Sequence, residues 1–131
     1  MTMIARIFIS LCLWACLSVG AAFAEPQTGR WETNYGPIEM ETKSDGFIGT
    51  YAYKNRPAFL AGRHNGDGTF RVTWVQEISE VECLETVQDS PFWGRAVFVF
   101  DGDRFIAHWN YCDRRIRKKR DFRWTGEFTG N

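Results

Sequence analysis

From about residue 30 to residue 128 the chain consists of short runs in which apolar and polar residues alternate. In "TFRVTWVQE", the clearest run, Phe70, Val72 and Trp74 fall on one side and polar residues stand between them. A period of two predicts a β-strand with one buried face. Gly, Pro, Asn and Asp separate the runs and predict tight turns, as at 65–68. Because no run has a convincing helical period, the sequence predicts an all-β fold.

The runs follow one another through mostly short connections, and eight of them are recognisable. This order favours an antiparallel up-and-down meander. Strands that close on themselves leave no exposed sheet edge, so we expect an eight-stranded β-barrel. The interior of such a barrel is either filled by side chains or open enough for one small ligand. A small β-sandwich is the alternative, because strand signals alone do not separate the two folds.

The first 24 residues have the layout of a secretory signal peptide. Arg6 precedes an apolar run over 7–22, and Ala-Phe-Ala at 22–24 is a small-x-small cleavage site. The run is too short for a membrane span and lacks a basic stop-transfer flank. We therefore expect cleavage after Ala24, a secreted or periplasmic location, no membrane span after cleavage, and a single domain over residues 25–131.

The charges of the chain are balanced, with 16 basic and 16 acidic residues. A balanced chain gives no reason to expect nucleic acid or a membrane surface as the partner. One loop departs from this balance, because six basic residues fall within seven positions: Arg114, Arg115, Arg117, Lys118, Lys119 and Arg120. A free basic patch for nucleic acid or another polyanion is one interpretation of this loop.

The other interpretation of the basic loop depends on Cys83 and Cys112. We expect these two cysteines to form a disulfide in an oxidising compartment. In a meander, the loops after the fifth and seventh strands share one barrel end, which brings the two cysteines together. The loop of Cys83 carries five acidic residues: Glu77, Glu80, Glu82, Glu85 and Asp89. We expect the acidic and basic loops to pair their charges and to cover that end of the barrel.

Five of the six tryptophans lie outside the signal segment, each on a different predicted strand. Alternation groups them with other aromatic residues, so we expect a strongly aromatic interior. It is either plain core packing or a ligand pocket with a few polar tips such as Gln76. If Trp93 points inward, strict alternation places Phe98 and Phe100 on the outer face of the barrel, where they could form a self-association face. A β-bulge would instead turn these two side chains inward. The candidate ligand-binding residues are Trp31, Tyr51, Tyr53, Trp74, Trp93, Trp109 and Trp124.

A series of short motifs, in order "GRWETNYG", "DGFIGTY", "FRVTW", "FWG", "RFIAHW" and "FRW", resembles the avidin/streptavidin family of calycin-type barrels. The resemblance implies an eight-stranded barrel with a ligand pocket. By this resemblance the pocket residues would be Tyr51, Trp74, Trp93, Trp109 and Trp124.

The same resemblance argues against biotin as the ligand. In the family, an Asn on the first strand and a Ser after it bind the ureido group of biotin, whereas Thr33 and Pro37 stand at these positions here. The last-strand Asp of the family has no counterpart in this chain. A site built to hydrogen-bond a polar ligand loses much of its affinity when its partners are absent.

No catalytic constellation is visible in the sequence. His64 and His108 are the two histidines, and neither has the spacing of a metal site or of a nucleophile with its base. We therefore expect no enzyme, no metal and no cofactor. Two functions remain: a barrel that binds a small apolar or aromatic ligand, and a protein-binding barrel such as a periplasmic protease inhibitor. The second would act through its loops or through a free N-terminal segment, Glu25 to Gly29. Gly-x-Trp openings also occur in lipocalins and in small periplasmic inhibitor barrels, which keeps this alternative open.

Overall fold

A computed structural model describes residues 25–130, and these form a closed barrel of eight antiparallel strands. Each strand pairs with its neighbours in sequence, and the last pairs with the first. The predicted all-β, up-and-down barrel is therefore confirmed, and its architecture is consistent with a calycin-like fold. The strands are β1 (Gly29–Thr33), β2 (Ile38–Lys43), β3 (Gly46–Tyr53), β4 (Arg56–His64), β5 (Phe70–Gln76), β6 (Phe92–Asp101), β7 (Arg104–Tyr111) and β8 (Arg123–Gly130).

A single 3-10 turn, Arg120–Phe122, is the helical element of residues 25–130. In this part of the chain no helix combines the length and the apolarity needed to cross a membrane. The predicted signal peptide, residues 1–24, lies outside the described residues.

The two ends of the barrel differ in how tightly they are filled. At one end, the inward side chains of five strands are large and fully or almost fully buried: Trp31, Phe47, Phe70, Phe98, Phe100 and Phe105. Their rings pack edge-to-face or tilted, as in Phe47 against Phe70 with centroids 5.3 Å apart. Because each buried ring removes a large apolar area from water, this end forms the solid core of the barrel.

The N-terminal segment, residues 25–28, lies across this filled end. The Trp31 indole N–H donates to the carbonyl oxygen of Gln27 at 3.0 Å, and the Thr42 hydroxyl donates to the carbonyl oxygen of Pro26 at 2.5 Å. The Gln27 amide also donates to the Asp103 carboxylate. The segment that was expected to be free for binding a partner protein is therefore tied to the barrel.

The inward and outward faces of β6 are the reverse of the prediction. Phe98 and Phe100 point inward and are 0% and 5% exposed, whereas Trp93 lies on the outer face. Strand pairing decides this, because Trp74 on the inner face of β5 stands opposite Gly94, which leaves the neighbouring Trp93 outside. The predicted outward patch of Phe98 and Phe100 and the predicted inward position of Trp93 were therefore wrong. No β-bulge is needed to bury the two phenylalanines.

The loop over residues 77–91 covers the outer face of Trp93. Trp93 packs with Val75, Val87 and the disulfide into a small second core, and it is 4% exposed. Its indole N–H donates to the carbonyl oxygen of Glu85 at 2.8 Å. The predicted disulfide between Cys83 and Cys112 is confirmed, and it joins this loop to the end of β7.

Candidate functional site

The barrel end that carries the β5–β6 and β7–β8 loops contains a cavity of about 430 Å³. Eight of the twelve residues that line it are aromatic. The aromatic residues are Tyr35, Tyr51, Tyr53, Trp74, Trp109, Tyr111, Phe122 and Trp124. The other four are Gln76, Ser79, Glu80 and Asp121.

The cavity is open at this end because the inner face of β6 changes from large to small side chains. Phe98 and Phe100 fill the barrel at the closed end, whereas Ala96 and Gly94 follow toward the open end. Gly94 stands opposite Trp74 on β5 and Tyr111 on β7. Because Gly94 has no side chain, the large rings on the two neighbouring strands have room in the cavity wall.

The rings of the cavity wall meet mostly at steep angles. The Trp109 ring lies 5.8 Å from that of Trp74 with an interplanar angle of 85°, and 4.9 Å from that of Phe122 at 63°. On the adjacent strand β8, the Trp124 ring lies 5.3 Å from that of Tyr51 and 5.7 Å from that of Tyr35. Edge-to-face contacts of this kind are the favoured geometry of aromatic pairs and hold the rings in place.

Hydrogen bonds fix some of the polar atoms of the wall. The Gln76 amide donates to the Tyr51 hydroxyl at 2.9 Å, and the Trp109 indole N–H donates to the Tyr35 hydroxyl at 3.3 Å. Burial raises the pKa of Tyr51 far above its usual range, so the phenol stays protonated. The indole N–H of Trp74 is buried without a partner in the described part of the chain. A buried donor of this kind is available to an acceptor on a bound molecule.

The seven predicted ligand-binding residues divide into three groups. Five of them line the cavity: Tyr51, Tyr53, Trp74, Trp109 and Trp124. Trp31 is inside the barrel but fully buried in the closed end, where its ring contacts Phe100 and Phe128. Trp93 is outside the barrel, under the 77–91 loop, so its placement in the interior was wrong. Whether the first five bind a ligand stays a prediction.

Several lining residues were not among the predicted site residues. Tyr35, Tyr111 and Phe122 share the alternation of the predicted tryptophans, so the aromatic pattern contained the signal for them. Ser79 and Glu80 belong to the irregular 77–91 loop, and Asp121 belongs to the 3-10 turn between β7 and β8. Strand periodicity carries no information on which loop residues face a cavity.

The acidic and basic loops both contribute residues to the cavity wall, the first through Ser79 and Glu80 and the second through Asp121 and Phe122. In residues 25–130, no ion pair within 4 Å joins the acidic residues of 77–91 to the basic residues of 114–120, so the expected pairing is absent at salt-bridge distance. Glu77 instead approaches Arg56 on β4, with 3.7 Å between side-chain nitrogen and oxygen. The covalent link between the loops is the disulfide.

Both histidines lie away from the cavity. The His64 ring packs on Phe70 at 4.3 Å at the closed end, and His108 lies on the outer side of β7. Partial burial, followed by the charges of Arg123 and Lys118, lowers the pKa of His108. Among residues 25–130, no three His, Cys, Asp or Glu side chains cluster so that they could hold a metal ion.

Comparisons of the chain with protein-family models, with curated proteins and with solved structures found no match. Function is therefore inferred from the cavity and the residues that line it.

Proposed function

We propose that this protein is a secreted or periplasmic β-barrel that binds a small apolar or aromatic molecule in the open end of its barrel. The observation that carries the proposal is the cavity of about 430 Å³ with eight aromatic residues in its wall. Ligand pockets are typically concave, largely apolar and a few hundred Å³ in volume, with a small number of polar groups that orient the ligand.

Two features of the cavity distinguish it from plain core packing. The closed end of the barrel shows what filled packing looks like in this protein, with Phe98 fully buried among other rings. At the open end the rings of Trp109 and Tyr111 remain partly exposed, and the Trp74 N–H has no hydrogen-bond partner among residues 25–130. Unfilled space beside large apolar rings and an unpaired donor supports a binding role.

The resemblance to avidin-like barrels adds four residues to this support. Of the five residues that it assigns to a ligand pocket, Tyr51, Trp74, Trp109 and Trp124 line the cavity, whereas Trp93 does not. The disulfide between Cys83 and Cys112 supports an oxidising compartment, which agrees with the proposed secretion. The protein-binding alternative loses one of its two surfaces, because residues 25–28 are held against the barrel.

Native mass spectrometry of the protein purified from its own source tests the proposal through a retained small molecule. Ser79 lines the mouth on an irregular loop, so a Ser79→Trp variant blocks the cavity without disturbing a strand. Leu84 on the same loop is fully exposed, and Leu84→Trp is the matched control. We expect a mass increment on the wild type and on Leu84→Trp, and none on Ser79→Trp. An increment that survives in Ser79→Trp would place the ligand elsewhere.

A further inference from the structure

The charges in the cavity wall are of one sign only. Glu80 and Asp121 are the charged residues of the lining, and in the described part of the chain no Lys, Arg or His side chain lines the cavity. The β7–β8 loop has six basic residues, yet it contributes Asp121 and Phe122 to the wall. The basic side chains of that loop are exposed.

The electrostatic environment of the Tyr111 hydroxyl agrees with this distribution. Burial raises the pKa of Tyr111 most, and the carboxylate of Glu80 raises it further. Arg114 acts in the opposite direction and has the smaller effect. At this point of the wall, the negative charge of Glu80 therefore outweighs the positive charge of Arg114.

Aromatic rings are the second feature that attracts positive charge. The face of a Trp or Tyr ring is negative, and a cation within about 6 Å of the ring centre is attracted to it. One ring of the lining already has such a neighbour, because Nζ of Lys54 lies 5.5 Å from the centre of the Tyr53 ring. The rings of Trp74 and Trp109, which both line the cavity, meet at 85° and are not stacked face to face on each other.

We propose that the cavity selects cationic ligands, and in particular quaternary or methylated ammonium groups, which sit among the rings with Glu80 and Asp121 at the mouth. This inference rests on the proposed small-molecule function and specifies its ligand class. A methylated ammonium group fits because it is apolar at its surface, carries a full positive charge, and is weakly hydrated compared with a primary ammonium. Neither the aromatic rings nor the carboxylates would favour an anion of the same size.

Three probes of matched size test the charge preference. Phenyltrimethylammonium and tert-butylbenzene have the same shape and differ in charge, and benzenesulfonate is the anionic counterpart. We expect titration calorimetry or NMR titration to show the cation binding about tenfold more tightly than tert-butylbenzene, with benzenesulfonate weakest. Equal or tighter binding of tert-butylbenzene would overturn the cation preference and leave the small-molecule function standing. Tighter binding of benzenesulfonate, or no binding of the cation, would also overturn it.

Variants separate the effect of the mouth carboxylate from a change in overall charge. Glu80→Gln removes a charge from the lining, and Glu82→Gln removes the same charge from an exposed position of the same loop outside the lining. We expect Glu80→Gln to weaken phenyltrimethylammonium binding about threefold at low salt and to leave tert-butylbenzene unchanged. Glu82→Gln is expected to change neither. Equal effects of the two variants on the cation would contradict a specific role of Glu80.

Discussion

Gly94 on β6 stands directly opposite Trp74 on β5, and a Cβ atom on Gly94 would overlap the Trp74 indole and the carbonyl oxygen of Asn110. The indole occupies the space that any other residue would need. We expect Gly94→Ala to lower the free energy of unfolding by about 1–3 kcal/mol, since the overlap forces a shift of the ring or of the strand. Because the displaced ring lines the cavity, binding of an apolar dye such as N-phenylnaphthylamine should weaken as well.

Gly126 on β8 provides the control for this substitution. A Cβ at Gly126 would overlap the Phe105 ring, which belongs to the closed end of the barrel. Gly126→Ala should therefore destabilise the protein by a similar amount in chemical denaturation and leave dye affinity unchanged. If both variants lose affinity alike, general destabilisation and not the position of Trp74 determines binding.

How far the sequence predicts this fold depends on what each face of a strand contacts. On β7 the outer face is polar or exposed, and on β5 the buried Val75 is the one outer residue that departs from this pattern, so alternation placed Trp74 and Trp109 on the inner face correctly. On β6 both faces are apolar, because a loop covers Trp93 from outside while Phe98 packs inside. A period of two cannot tell which of two apolar faces is inward.

The cavity mouth was harder to predict than the strands for a different reason. Glu80 and Asp121 belong to loops whose path is set by the disulfide and by single contacts, such as that of Asn110 with the carbonyl oxygen of Arg115 at 2.8 Å. Such contacts have no sequence period. Charge balance between the loops predicted salt bridges, but exposed charges gain little from direct pairing and remain in water.

Because Trp93 lies on the outer face of the barrel, we expect its substitution to affect stability and binding differently from substitution of the cavity tryptophans. Trp93→Phe removes the hydrogen bond to the Glu85 carbonyl oxygen and part of the contact with the 77–91 loop. We expect it to lower the free energy of unfolding by about 1–2 kcal/mol and to leave the affinity for N-phenylnaphthylamine unchanged. Trp109 lies in the half-exposed cavity wall, so Trp109→Phe should weaken the binding of the dye and change the free energy of unfolding little. Loss of dye affinity in Trp93→Phe would show that this residue contributes to the binding site.

The disulfide between Cys83 and Cys112 is expected to stabilise the fold and to hold the cavity mouth. It closes 29 positions of chain. In the loop-entropy description, a loop of this length stabilises the fold by about 3–4 kcal/mol. The double variant Cys83→Ser/Cys112→Ser should therefore unfold at a lower urea concentration than the oxidised wild type. Reduced wild type is the control and should unfold close to the double variant. Unchanged urea midpoints would show that the loops are held by packing around Trp93 alone.

Biotin should leave the thermal stability of this protein unchanged, because the first-strand position that would contact it is already used inside the protein. The Thr33 hydroxyl donates to the carbonyl oxygen of Gly36 at 2.5 Å and accepts from the Trp124 indole N–H at 3.0 Å. Thr33 is not among the residues that line the cavity. A ligand that binds only the folded state raises the melting temperature by an amount that grows with the logarithm of its concentration relative to Kd, so without binding we expect no shift with excess biotin. Streptavidin in the same buffer is the positive control, and a clear rise for this protein would contradict the assignment of Thr33.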